Sequence, residues 1–364
     1  MNQVTRLLEP TQQETVCAWT SAHPRHDHQL IFPLEAGVLL LIWSEYYVRD
    51  PAFIERSPRD REGQAGDSAP CRLSGRISSD AGRMWSETFT VQENLWGRNV
   101  KHPNLIRCVN GDLVLTFTAW ISETERDLFM KRSPDEGSTW SEPCRIGPPG
   151  FYCTNNDHIL RLSDGRVVLP AHGGPGFVLG GGPLHSFCLI SDDDCRTWRL
   201  SKDAMTAPGR GAHEPSIVEL RDGRLLCFLR TTQRCIYQSV SDDGGEHWSV
   251  PEPTDLAAPD SPPLLSRLPT GELLLLWNNV ASDTNWPRTP LTAAVSEDEG
   301  DTWRIAGDID DRTDHDAAYA SVLFHEDEAL IACYTRPTEW SRDCEILLRI
   351  YSIDAFRAQM GGNI

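Results

Sequence analysis

Five segments of this chain repeat one pattern, and that repetition constrains the fold more than any other feature. They begin at Ser78-Ser-Asp80-Ala-Gly82-Arg-Met-Trp85 and Ser133-Pro-Asp135-Glu-Gly137-Ser-Thr-Trp140. Ser191-Asp-Asp193-Asp-Cys195-Arg-Thr-Trp198, Ser241-Asp-Asp243-Gly-Gly245-Glu-His-Trp248 and Ser296-Glu-Asp298-Glu-Gly300-Asp-Thr-Trp303 follow. The tryptophans are 55, 58, 50 and 55 residues apart, a period that signals a solenoid or a propeller. Each segment has the chemistry of a turn: Asp accepts from nearby backbone amides, Gly permits a positive φ, and Trp anchors the hairpin. Only the third copy departs, with Cys195 in the glycine place, which predicts a strained or reshaped turn there.

A second pattern lies between the boxed turns: an apolar run, a turn, and another apolar run. The copies are Leu30–Trp43, Asn104–Phe117, Ile159–Pro170, Ser216–Leu229, Leu264–Trp277 and Ala320–Tyr334, each with the signature of a β-hairpin. Six hairpins against five boxed turns predict six four-stranded blades. In the last, Glu345–Ile353 supplies the third strand, and Gln13–Trp19 is the free candidate for the fourth. The expectation is an all-β fold, a six-bladed β-propeller closed by its N-terminal strand, with residues 1–364 as a single domain. Helix is confined to a short turn at Asp354–Met360.

The net charge of −19 argues against nucleic-acid or anionic-membrane partners, and makes inward-pointing arginines more informative. The 11 cysteines are scattered without Cys-x-x-Cys spacing, which predicts reduced, mostly buried thiols. Met1–Thr15 lacks the apolar core of a signal peptide, no run is long enough to span a membrane, and the expected compartment is the cytoplasm.

Superposing the hairpins on Gly37, Gly111, Gly165, Gly223, Gly271 and Glu328 and counting back nine residues gives one ring position per blade. These are His28, His102, Asn156, Glu214, Pro262 and Tyr319. Five of the six are polar or ionisable, which a purely structural strand start does not require. Asn155, Asp157, His158, His172, Asn278 and Asn279 are expected to crowd the same face.

The boxed turns resemble the Asp boxes of sialidases and related bacterial neuraminidase-repeat proteins, over nearly the whole chain. The block from His213-Glu214-Pro215 to Arg230 resembles the sialidase segment that carries a carboxylate and the second arginine of a three-arginine cluster. Tyr319 matches the tyrosine nucleophile that this carboxylate activates, and Arg288 matches the third arginine. The general acid implied is Asp67, 13 residues before Asp80, with Asp50 and Glu45 as rivals. A neutral phenol suits a substrate that carries its own carboxylate, and sialidases are the tyrosine exception among retaining glycosidases; arginines clamp such a carboxylate through paired hydrogen bonds.

The resemblance fails at the first arginine. Its place reads Pro24-Arg25-His26-Asp27-His28-Gln29, so the counted residue is Asp27 or His28, and Arg25 is out of register. His26-Asp27-His28, with His102 or His213, has alternating spacing that could ligate a metal, but ordinary polar strand residues are the stronger reading, and no cofactor is implied. The Gly173–Gly182 stretch lacks phosphate-loop spacing and reads as a rim loop.

The implied function is exo-hydrolysis of an anionic, sialic-acid-like sugar: Tyr319 nucleophile, Glu214 base, Asp67 acid. Arg230, Arg288 and Arg25 would hold substrate, with His28, His102, Asn156, Asp157, His172 and His213 lining the channel. The alternatives are a lyase or hydrolase using His28, His102, His172 or His213 in proton transfer, and a non-catalytic propeller that binds glycans.

Overall fold

The computed structural model describes residues 5–48, 66–174, 182–338 and 343–357. Among the described residues, apart from a 3-10 turn at Glu35–Gly37 and the helical turn Asp354–Arg357, every regular element is a β-strand. The rest of the expected Asp354–Met360 turn lies outside the described residues, as do Asp50 and part of Gly173–Gly182.

The strands form six successive antiparallel units. The first pairs Arg25–Pro33, Leu39–Tyr46, Cys71–Ser78 and Phe89–Gln92. The second pairs Asn99–Arg107, Leu113–Trp120, Arg126–Ser133 and Cys144–Ile146. In the third, Phe151–Thr154 and Leu160–Arg161 both pair with Val167–Gly174, followed by Ser186–Ser191 and Arg199–Leu200. The fourth runs His213–Glu219, Leu225–Arg230, Cys235–Ser241, Glu252–Ala257, and the fifth Leu264–Arg267, Leu273–Asn278, Leu291–Ser296, Arg304–Asp310. The sixth is His315–His325, Glu328–Pro337 and Glu345–Ser352, with Gln12–Cys17 as its outer strand. The pairing expected of the N-terminal segment is therefore present, with Gln12 opposite Ile350.

The second strand of each unit is a continuous apolar run because both of its faces are covered. Side chains alternate sides along a strand, so Leu39, Leu41 and Trp43 pack toward the sixth unit while Leu40 and Ile42 pack toward the second. Leu225, Cys227 and Leu229 likewise face the third unit, and Leu226 and Phe228 the fifth. Apolar clusters join each unit to the next, and one joins the sixth to the first through Leu330, Ile346, Ile31 and Leu39.

The boxed turns share one set of bonds. The serine Oγ accepts from the backbone amide four residues on, at 2.9, 2.8, 2.9, 2.9 and 2.8 Å. The aspartate accepts from the amide four beyond itself, from Met84 at 2.8 Å to Thr302 at 2.9 Å. The glycine stands against the preceding unit: a Cβ on Gly82 would meet Leu330 Cδ2 at 2.8 Å, and one on Gly300 would meet Leu226 Cδ2 at 2.7 Å. Cys195 holds the same left-handed backbone, φ 63°, and packs in one cluster with Val114. Val114, like Leu226, is the second residue of its unit's second strand, and the shorter side chain leaves room for a thiol.

Candidate active site

Four of the six ring positions coincide in backbone as well as in count. His28, His102, Glu214 and Tyr319 have φ of 50°, 58°, 46° and 53°. Each lies inside a β-bulge, where the register shifts between Asp27 and Leu30, Lys101 and Asn104, His213 and Ser216, and Ala318 and Ser321. Glu214 is the second residue of its strand, at the start as the spacing suggested, whereas His28, His102 and Tyr319 lie three or four residues inside theirs. A left-handed non-glycine residue costs on the order of 1–3 kcal/mol, and a bulge re-aims a side chain out of the strand's alternation. All four side chains line one cavity of about 350 Å³.

At its centre Tyr319 Oη donates to Glu214 Oε1 at 2.9 Å. Arg230 Nη1 donates to Glu214 Oε2 at 2.5 Å and to Tyr319 Oη at 3.1 Å. Arg230 is fixed further by Asp260 Oδ1 at 2.7 Å and Asn285 Oδ1 at 2.9 Å. Burial would raise the Glu214 carboxyl, but Arg230, His213 and His172 outweigh it and hold it far below the usual carboxylate range. Burial and the Glu214 charge push the Tyr319 phenol well above its ordinary value. The pair is thus a carboxylate accepting from a neutral phenol.

Arg288 also lines the cavity. Its Nη1 donates to Tyr334 Oη at 2.8 Å, and Asp316 Oδ1 accepts from its backbone amide at 2.7 Å. Arg25, out of register in the sequence, is nevertheless on the cavity wall, stacked 4.5 Å over the Tyr46 ring. It donates to Asp27 Oδ2 at 2.5 Å and Asp67 Oδ1 at 2.9 Å. Asp67 stands at the mouth with its side chain 68% exposed. Desolvation there would raise its carboxyl; Arg25 and Lys101 reverse this and hold it below the ordinary range. Glu45 is turned away onto Arg72 and Ser74, both at 2.8 Å.

The histidines form a wall. The His28 ring lies 4.6 Å from Tyr319 and 4.1 Å from His102, edge to face. His28 Nδ1 is 2.5 Å from Asp27 Oδ1, and His102 Nδ1 lies 3.3 Å from Cys153 Sγ. His172 Nδ1 accepts from the Glu214 amide at 3.2 Å, and His213 Nε2 bonds Asp260 Oδ1 at 2.8 Å. Burial lowers the pKa of all four, His213 to about 4. Among the described residues no group of three or more His, Cys, Asp or Glu side chains is arranged to hold a metal ion.

Asn156 and Asp157 are corrected by the structure: neither lines the cavity. The inner strand of the third unit breaks after Thr154 and resumes at Leu160, so counting back through an unbroken strand misplaces them. Asn156 is fully buried, its amide donating to Gln29 O at 2.6 Å and Tyr319 O at 3.4 Å. It braces the bulge carbonyls from behind. Asp157 lies in a separate depression with Ser216, Leu264 and Val322. Asn278 is likewise structural, donating to Ala317 O at 2.9 Å.

Sequence reasoning missed Asp260, which accepts from Arg230, Arg210 and His213 together. It sits two residues before the counted position Pro262, so the run Pro259-Asp260-Ser261-Pro262 carried a signal. Lys101 and Arg126 on the same cavity were also missed.

This all-β chain, with its tyrosine, glutamate and arginines on one cavity, is a member of the sialidase superfamily. Within it the chain belongs to the BNR repeat-like domain family, whose pattern matches residues 62–331. A sialidase of Micromonospora viridifaciens is 29% identical over 222 residues, 57% of this chain and 30% of that protein; the chain thus spans under a third of that relative. A protein of unknown function from Dyadobacter fermentans superposes with a TM-score of 0.74 at 18% identity, covering 94% of this chain and 98% of its own. Trypanosoma rangeli sialidase in complex with sialic acid superposes with a TM-score of 0.73 at 15% identity, covering 97% and 60%.

Proposed function

We propose that the chain is an exo-acting glycoside hydrolase of the sialidase type that cleaves an anionic sugar. The observation that carries the reading is the Tyr319–Glu214–Arg230 arrangement, with Oη 2.9 Å from the carboxylate. Tyr319 Oη attacks the anomeric carbon while Glu214 takes the phenolic proton, so no phenolate has to exist beforehand. Asp67, protonated, passes its proton to the leaving oxygen and afterwards activates water as a base. A neutral nucleophile avoids repelling a substrate carboxylate, which Arg288 and Arg230 receive, with Arg25 at the rim. In this reading the six units are the blades of one propeller, a single domain whose axis ends in the cavity.

Asp27 at the counted first-arginine place favours a second reading, in which the substrate is not an ordinary sialoside and neutral histidines such as His28 and His102 move protons. Release of fluorophore from an aryl α-sialoside, with Tyr319→Phe alongside, separates the two. Turnover abolished by the variant supports the first. No turnover by either protein overturns sialic acid as substrate, and turnover undiminished in Tyr319→Phe overturns the tyrosine nucleophile.

A further inference from the structure

Seven lysine and arginine side chains line the cavity against three carboxylates, Asp27, Asp67 and Glu214, on a chain whose net charge is −19. Four of the seven are ion-paired: Arg25 with Asp27, Arg210 and Arg230 with Asp260, and Arg336 with Asp316. Among the described residues, Arg288, Lys101 and Arg126 have no carboxylate within 4.0 Å. All three are buried, at 6%, 4% and 8% exposure. A buried cation outside direct ion-pair contact is costly, and a ligand anion removes that cost; Lys101 acts on the Asp67 and Asp27 charges only from beyond 4.0 Å. Arg288 has such a ligand in the sugar carboxylate. Lys101 and Arg126 have none assigned.

Both line the same cavity and flank one ring. Lys101 Nζ lies 5.8 Å and the Arg126 guanidinium 5.5 Å from the centre of the same Trp120 ring. Lys101 is oriented by the Asp67 carbonyl at 3.2 Å. Arg126 Nε donates to Tyr152 O at 2.7 Å, and its guanidinium stacks 4.3 Å over Phe151. One nitrogen is thus spent on positioning while, among the described residues, the two terminal nitrogens make no hydrogen bond and keep their donors, in the fork geometry that matches an oxyanion. Both come from the second unit, whereas Arg230 and Arg288 come from the fourth and the loop of the fifth, with His172 and Cys153 of the third on the wall as well.

We propose that Lys101 and Arg126 form a second anion subsite, so that the ligand is a sugar with two anionic groups. One is a carboxylate on Arg288 and Arg230; the other is a carboxylate, sulfate or phosphate on Lys101 and Arg126. The two-ended ligand rests on the hydrolase reading, but the subsite itself does not.

Isothermal titration of the full chain with inorganic phosphate tests the subsite without any turnover. Phosphate binding should weaken at least tenfold in Arg126→Gln and in Lys101→Gln, and survive in Arg288→Gln at the same ionic strength. If Arg126→Gln fails to fold by circular dichroism, Lys101→Gln decides alone. Absence of phosphate binding at millimolar concentration overturns the proposal. So does binding lost in Arg288→Gln but untouched in the Lys101 and Arg126 variants. Phosphate held at this subsite by a chain that cleaves no sialoside supports the subsite and overturns only the sialidase reading.

Discussion

Glu214 and Tyr319 sit at the same bulge in units two apart, each in a left-handed backbone, and their side chains meet at 2.9 Å. Because the phenol is neutral and the carboxylate ionised, proton transfer has to accompany attack. Glu214→Gln keeps the shape and a hydrogen bond but removes the proton acceptor. It should lower kcat about 10²–10⁴-fold and also lower thermal stability, because the buried Arg230 is left with Asp260 alone; steady-state kinetics at a temperature below the variant's melt, on the substrate that proves active, would check it.

Asp67 is held ionised by Arg25 in the free protein. As an acid it must carry a proton, so activity declines as pH rises through its pKa, and a lower pKa moves that decline to lower pH. Arg25→Gln removes the charge and should move the descending limb of kcat/KM upward by about 1–3 pH units. An unmoved limb would remove Asp67 from the acid's role.

The boxed turns give a stability prediction that needs no substrate. Gly300→Ala would strain a φ of 98° and drive a methyl against Leu226, costing about 2 kcal/mol or more. Cys195→Ala, at the equivalent place beside Val114, should cost less, since a Cβ is already accommodated. Denaturant melts of the two variants give the comparison directly.

The buried histidines set the acid limit. Burial lowers His26 and His213 to about 4, while the unfolded chain takes up these protons near pH 6.5. Between those values the unfolded state binds more protons, so their contribution is full above pH 6.5 and is lost as pH falls toward 4. The loss should be on the order of a few kcal/mol. His26 accepts from Trp43 Nε1 at 3.0 Å; His26→Gln keeps an acceptor without titrating, and its melting temperature should fall less between pH 7 and pH 5.

Much of this was legible in the sequence because turns are local. The serine and aspartate of each box act on amides four residues away, so five copies announce five equal turns. The hairpin count also exposed a missing strand and pointed to the N-terminal segment. The ring position worked for His28, His102, Glu214 and Tyr319 because all four units bulge at the same place. It failed at Asn156, where the strand is interrupted, since counting assumes that every unit spends the same number of residues. Asp260, Lys101 and Arg126 were hidden for a different reason: their importance lies in which charges remain unpaired, a property of three-dimensional neighbours that spacing does not encode.

The strand Gln12–Cys17 pairs with a partner 338 positions away, Gln12 against Ile350. Closing a loop of that length costs about 5 kcal/mol in chain entropy, against under 2 for a hairpin such as Glu219–Leu225. The sixth sheet is therefore a latch whose closure costs more chain entropy than a hairpin does. Gln12–Cys17 is made long before the strand it pairs with, and its opening run Gln-Gln-Glu-Thr is polar enough to wait in water without recruiting a neighbour. The same latch is where thermal opening should begin, giving the molecule a defined point of entry for unfolding and for proteases.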